Sequence, residues 1–222
     1  TLNLVNLVSA DLYQADLPPA NLTRANLNRA NLNRADLALA HLVRAALNRA
    51  NLVRADLNRA NLVSANLVSA DLNRANLYSS NLTRTYLARA DLNRANLNRV
   101  NLNSADLYSA NLDLADLYSA DLARANLARA NLNRTHLGRV NLAHAILLNT
   151  NLSSAQNLAP EQLEGEFPPL LCGTTLPTDI AIDPNRDYRK LPRVLADRYP
   201  NDFKTVAAAA EYVQQQIPPA QG

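Results

Sequence analysis

The sequence predicts a mainly β protein, a solenoid of short stacked coils followed by a small α-helical C-terminal cap. Three observations carry that prediction. Leu stands at every fifth position from Leu2 to Leu152, 31 times without a break. A small residue, nearly always Ala, stands two places before each Leu, as at Ala10, Ala15 and Ala25. After Leu152 the register fails, with Leu158 one place late, and a different pattern begins.

The period of five excludes the simpler alternatives. Five residues rotate an α-helix by about 500°, so successive Leu would spiral over every face and leave no apolar stripe. In a flat strand Ala and the Leu two places on share a face, but five is odd, so the next Leu would point to the opposite face. A bend in every unit resets the alternation and turns each Ala and Leu inward. Closing the path into stacked coils lets each short side pair with the coils above and below at about 4.8 Å. That pairing satisfies the backbone groups which isolated bends would expose. Leu fills the axis, and only a small residue fits beside it.

The unit is A-[N/D]-L-x-x, usually closed by Arg or Ser: A-N-L-N-R, A-D-L-Y-S and A-N-L-A-R all occur. It resembles the pentapeptide-repeat family over residues 1–155. The resemblance implies a right-handed quadrilateral β-helix of four units and 20 residues per coil, hence about eight coils. Such repeats are especially common in cyanobacteria. Some members of that family bind DNA gyrase and are acidic mimics of duplex DNA, or carry loops that interrupt the repeat. Here residues 1–155 hold 16 Arg against 10 Asp and no insertion. Both features count against the gyrase-binding alternative.

With 20 residues per coil, positions 20 apart stack in columns. Arg falls on all four sides, whereas a nucleic-acid groove gathers basic residues on one face. Nucleic-acid binding is therefore disfavoured. Asp16, Asp36 and Asp56 stack beside Arg34 and Arg54 and read as a compensated surface charge ladder. Asn61, Asn81 and Asn101 read as a stabilising amide ladder. One side is irregular. There Ala46, Tyr86 and Ile146 replace the polar residue before Leu, and Ala88, Tyr108, Ala128 and Leu148 stand among the residues after it. An outward apolar stripe with two Tyr reads as a surface for an unidentified protein partner. Ile146 and Leu148 lie near the end of the solenoid, where they are also placed to receive the chain's own C-terminal segment.

The remaining residues divide into an irregular capping and connecting segment, 156–190, and C-terminal helices, 191–222. One helix is expected from about Leu191 to Arg198, a second from about Asp202 to Ile217, capped by Asn201 or Asp202 and stopped by Pro218. The last coil of a solenoid exposes Leu and unpaired strand edges, so this C-terminal segment is expected to cover it. The first coil has no evident cap. It is expected either to be covered by residues upstream of Thr1 or to stack on a second copy as a homodimer.

No catalytic, cofactor or metal site is expected. His41, His136 and His144 fall in different columns, Cys172 is alone, no Cys or His pair has metal spacing, and no glycine-rich phosphate loop occurs. Cys172 reads as a small buried hydrophobe. The regular convex surface offers the Asp side chains too little burial for acid–base work. No small-molecule substrate is implied, and no run of 18 apolar residues marks a membrane span. The chain opens at Thr1 in full repeat stride with no signal-peptide pattern. The sequence leaves the compartment open between the cytoplasm, slightly favoured, and a processed periplasmic or lumenal form. The function that fits is a non-catalytic rigid scaffold or protein-binding module.

Overall fold

The computed structural model describes residues 2–216. Parallel bridges join residues 20 apart throughout the repeat, from Asn6 with Asn26 to His136 with Gln156, so each coil takes four units.

One unit shows how the backbone is satisfied. Asn26 N–H donates to Val5 O at 2.8 Å, Leu27 N–H to Ala46 O at 2.7 Å, and Arg29 N–H to Asn48 O at 2.9 Å. Ala30 N–H closes the turn onto Leu27 O at 3.1 Å. The remaining N–H, that of Asn28, donates to the Asn26 side-chain oxygen at 3.3 Å. All five donors are thus paired, three of them to adjacent coils. The Asn or Asp before most of the Leu has a local purpose: its oxygen accepts the N–H two residues on, an Asx turn, as Asn21 does from Thr23 and Asn66 from Val68.

The turn bends through its third residue. All 16 repeat Arg sit there with φ between 54° and 61°. That left-handed conformation ordinarily favours Gly, and it costs other residues about 1 kcal/mol or more. Here it is held in place by the turn bond on one side and the ladder bond of the Arg N–H on the other.

Two expected surface ladders are corrected. Among the described residues no side-chain bond links Asn61, Asn81 and Asn101; their oxygens accept Val63, Thr83 and Asn103 N–H instead. Amide contacts between coils occur in other columns, as from Asn76 Nδ2 to Asp56 Oδ1 at 3.0 Å and from Asn96 Nδ2 to Asn76 Oδ1 at 3.1 Å. Nor do Arg34 and Arg54 pair with the Asp16, Asp36 and Asp56 column. Asp36 and Asp56 accept backbone N–H from Ala38 and Asn58, each at 2.9 Å. For Asp36 and Asp56 the local donor is within reach, whereas an exposed Arg would lose side-chain freedom for little gain. Asp16 lacks that donor because Pro18 stands two residues on.

Inside, Leu and Ala from Leu22 onward are buried in one continuous core. Where a polar residue replaces Ala, its hydroxyl finds a carbonyl: Thr85 Oγ1 donates to Leu62 O at 2.9 Å and Thr135 Oγ1 to Leu112 O at 2.8 Å. In the first coil Leu7, Leu12 and Leu17 are only half-buried.

At the other end the coil lengthens. Strand β1 (Ile146–Leu148) pairs in parallel with β2 (Leu170–Cys172), Ile146 facing Leu170. The added residues form a short 3₁₀ turn, Pro160–Gln162. From it Gln162 Nε2 donates to Leu137 O and Val140 O at 2.7 and 3.0 Å, and buried Leu163 packs with Ile180 on the core. Gly173, φ 61°, follows β2, and a Cβ there would run into Asn149 Oδ1. Replacing Gly173 by Ala is expected to destabilise this last coil by about 1–2 kcal/mol, read as a lowered melting temperature. An unchanged melting temperature would contradict it.

Helices α1 (Leu191–Arg198) and α2 (Val206–Gln216) follow. They lie against the flank of the last coils, and the irregular segment before them packs on the open end. The reason is that an end coil needs ladder partners, which β2 supplies and a helix cannot. Helix α2 starts later than Asp202, because Thr205 provides the cap: its Oγ1 accepts Ala208 N–H at 3.1 Å. Ile217 and Pro218 lie outside the described residues.

Candidate partner-binding flank

The seven residues singled out from sequence share one side of the solenoid. Bridges run Ala46, Asn66, Tyr86, Asp106, Asn126, Ile146 in consecutive coils, with Ala88, Tyr108, Ala128 and Leu148 beside them. The structure then divides them into two groups. Ala128, Ile146 and Leu148 are buried in a second hydrophobic cluster with Cys172, Leu191, Leu195, Ala209 and Val213, and half-buried Tyr108 packs at its edge. As a correction, Ala128, Ile146 and Leu148 are covered by the chain's own helices and form no open partner surface, whereas Tyr108 keeps part of its ring and its hydroxyl accessible. The stripe ends where α1 and α2 are close enough in sequence to reach it, and their apolar faces need cover.

Ala46 and Ala88 remain half-buried, while Tyr86 is 53% exposed. Tyr86 also breaks the local rule of the repeat, since it offers no side-chain acceptor to Ala88 N–H. A large exposed aromatic in a position that elsewhere stabilises the turn is a departure with no structural return.

Where the helices meet the flank, a network of side chains closes the joint. Arg129 Nη1 donates to the Tyr108 hydroxyl at 3.1 Å, and Arg198 Nη1 to His144 O at 2.8 Å. Burial, followed by the neighbouring Tyr108, pushes the Tyr212 hydroxyl up to about 12. The Tyr199 hydroxyl is pushed up to about 12 as well, by burial and then by Asp106. A cavity of about 330 Å³ opens beside this network, over a floor that includes Ala128, Leu148 and Leu195. Sequence reasoning missed Tyr199, Phe203 and Tyr212 as neighbours of the flank. Their aromatic character was visible, but their docking position was not.

Cys172 is fully buried, and burial, followed by the nearby Asp187 carboxylate, pushes its thiol up to about 11. Such a thiol stays protonated at neutral pH and is a poor nucleophile. His136 pairs with Asp116 at 3.0 Å, and His144 packs on Phe167 at 5.1 Å between ring centres. Among the described residues no group of three His, Cys, Asp or Glu is placed to hold a metal ion, and no helix is long and apolar enough to cross a membrane.

This four-sided coil of five-residue units matches a known architecture. The family model for pentapeptide repeats matches in eight copies, across residues 6–42, 40–77, 80–117 and 120–155. The chain belongs to the pentapeptide repeat family. Among solved structures it is similar to HetL, a pentapeptide repeat protein involved in heterocyst differentiation regulation from the cyanobacterium Nostoc sp. strain PCC 7120. The two are 30% identical over 82% of this chain and 87% of that one, with a TM-score of 0.41. It is similar also to trypsin-treated QnrB1, a plasmid-mediated fluoroquinolone resistance protein, at 12% identity over 78% of this chain and 87% of that one, with a TM-score of 0.60. That second likeness is one of fold. Comparison with curated protein sequences yields no match.

Proposed function

We propose that the protein is a non-catalytic scaffold that binds a protein partner through the part of the flank left open by its own helices. The observation that carries this reading is Tyr86. It stands 53% exposed between Asn66 and Asp106 of its own column, with half-buried Ala46, Val68 and Ala88 in the same and neighbouring columns. An aromatic anchor ringed by polar side chains is the usual centre of a binding patch.

The test is capture of partners from native lysate with the full chain, its Tyr86→Ser variant and a Tyr13→Ser control. Tyr13 is 48% exposed but lies on a different side. Tyr86→Ser is expected to reduce recovery by about tenfold or more, the effect of losing an anchor worth about 2 kcal/mol, while Tyr13→Ser recovers what wild type does. Equal recovery by all three would remove this flank as the interaction surface.

A further inference from the structure

The cavity between flank and helices is built differently from the rest of the surface. Four aromatic side chains line it: Tyr108 from the solenoid, Tyr199 and Phe203 from the turn after α1, and Tyr212 from α2. Two carboxylates, Asp106 and Asp202, share the same space. At about 330 Å³ it falls within the range of small-molecule sites, about 300–1,000 Å³. The Phe203 and Tyr212 rings stand 5.2 Å apart at 52°, so they form two adjoining walls of a corner and not a closed stack.

We propose that this cavity binds an alkylated ammonium cation, the chemistry shared by a choline-like head group and a methylated lysine side chain. The reasoning is by elimination and fit. Two carboxylates repel an anion. A small inorganic cation exchanges its water for six or more oxygen ligands or keeps several waters, and aromatic rings with an Ala–Leu floor supply neither. An alkylated ammonium is weakly hydrated and is drawn to aromatic ring faces, whose quadrupole is negative.

The carboxylates are arranged for the same ligand. Asp106 is held by two donors that both use Oδ1, Tyr108 N–H at 3.1 Å and Asn126 Nδ2 at 3.0 Å. Among the described residues Oδ2 has no donor and is left for the cavity. Burial, with Asp202 adding repulsion, holds the Asp106 carboxyl above its ordinary value. A cation between the two carboxylates relieves that cost. Arg129 is not among the residues lining the cavity; its guanidinium donates to the Tyr108 hydroxyl at 3.1 Å, while Arg198, next to Tyr199, donates to His144 O at 2.8 Å.

The experiment is calorimetric titration of the full chain with tetramethylammonium chloride and with choline chloride, at ionic strength matched by sodium chloride. The neutral tert-butyl isostere of choline serves as the uncharged control. Saturable binding of both cations is expected, with the isostere at least about tenfold weaker, and with Asp106→Asn and Phe203→Leu each weakening choline about tenfold. If Asp106→Asn disturbs helix docking by circular dichroism or melting, Asp202→Asn at the exposed edge gives the same readout. A second arm compares a peptide bearing trimethyllysine with its unmodified form. Tighter binding than choline assigns the cation to a protein tail, and weaker binding assigns it to a free metabolite. Absence of saturable binding by either cation, or equal binding of the neutral isostere, would overturn the proposal. Because Tyr86 lies outside the cavity, the Tyr86→Ser variant should bind choline as wild type does, which separates this site from the partner surface.

Discussion

Substituting Leu148 by Asp is expected to detach α1 and α2 while the coils stay folded. Leu148 is fully buried, yet it points away from the axis, into the cluster with Leu191, Leu195, Ala209 and Val213. An unpaired carboxylate at that joint costs about 3–5 kcal/mol, in addition to about 2 kcal/mol of lost apolar burial. Undocking the helices lets water reach the charge. The solenoid has no equivalent need to open, because its own core lies on the other side of the β1 backbone. Hydrogen exchange checks this directly. Amides of α1 and α2 should lose protection, while ladder amides such as Leu107 and Asn126 keep theirs. Simultaneous loss in the last coils would show instead that the helices are an integral part of the solenoid.

Leu77→Ala is the second substitution with a large effect. Leu77 is fully buried at the middle of the rod, stacked in register with the coils on either side. Removing its branch leaves a cavity that a regular stack closes poorly, because the backbone spacing is set by ladder bonds above and below. A loss of about 3–5 kcal/mol is expected, seen as a lower midpoint in urea. The same change at Leu7, half-buried in the first coil, should cost much less. Repeat proteins couple mainly through nearest neighbours, so the Leu77 variant should also broaden the transition, the two halves of the rod losing part of their cooperation. Equal midpoints for the two variants would contradict a core that is continuous from coil to coil.

Some positions show how far the sequence reached. The Leu at every fifth place and the small residue two before it already required an inward-facing bend in every unit, and that is the core observed. The Asn or Asp before Leu was visible as a pattern, but its use was not. Whether an amide bonds along its column or back to its own turn depends on angles that a residue letter does not carry. The same holds for the 16 Arg at positive φ, where nothing in the side chain announces a left-handed backbone. For the flank, the apolar departures at Ala46, Tyr86, Ile146 and their neighbours were legible as a stripe. Which of them stay open was not.

What the sequence by itself determined is the repeat: its period, its buried residues and the side on which it becomes irregular, because those follow from local periodicity and size. What only the tertiary structure decided is the fate of that side. Docking of α1 and α2 joins residues far apart in the chain, so it buries Ala128, Ile146 and Leu148, leaves Tyr86 exposed, and assembles Asp106, Tyr108, Tyr199, Asp202, Phe203 and Tyr212 around one cavity. No periodicity encodes such a meeting, since it depends on where a connecting segment of irregular length returns the chain.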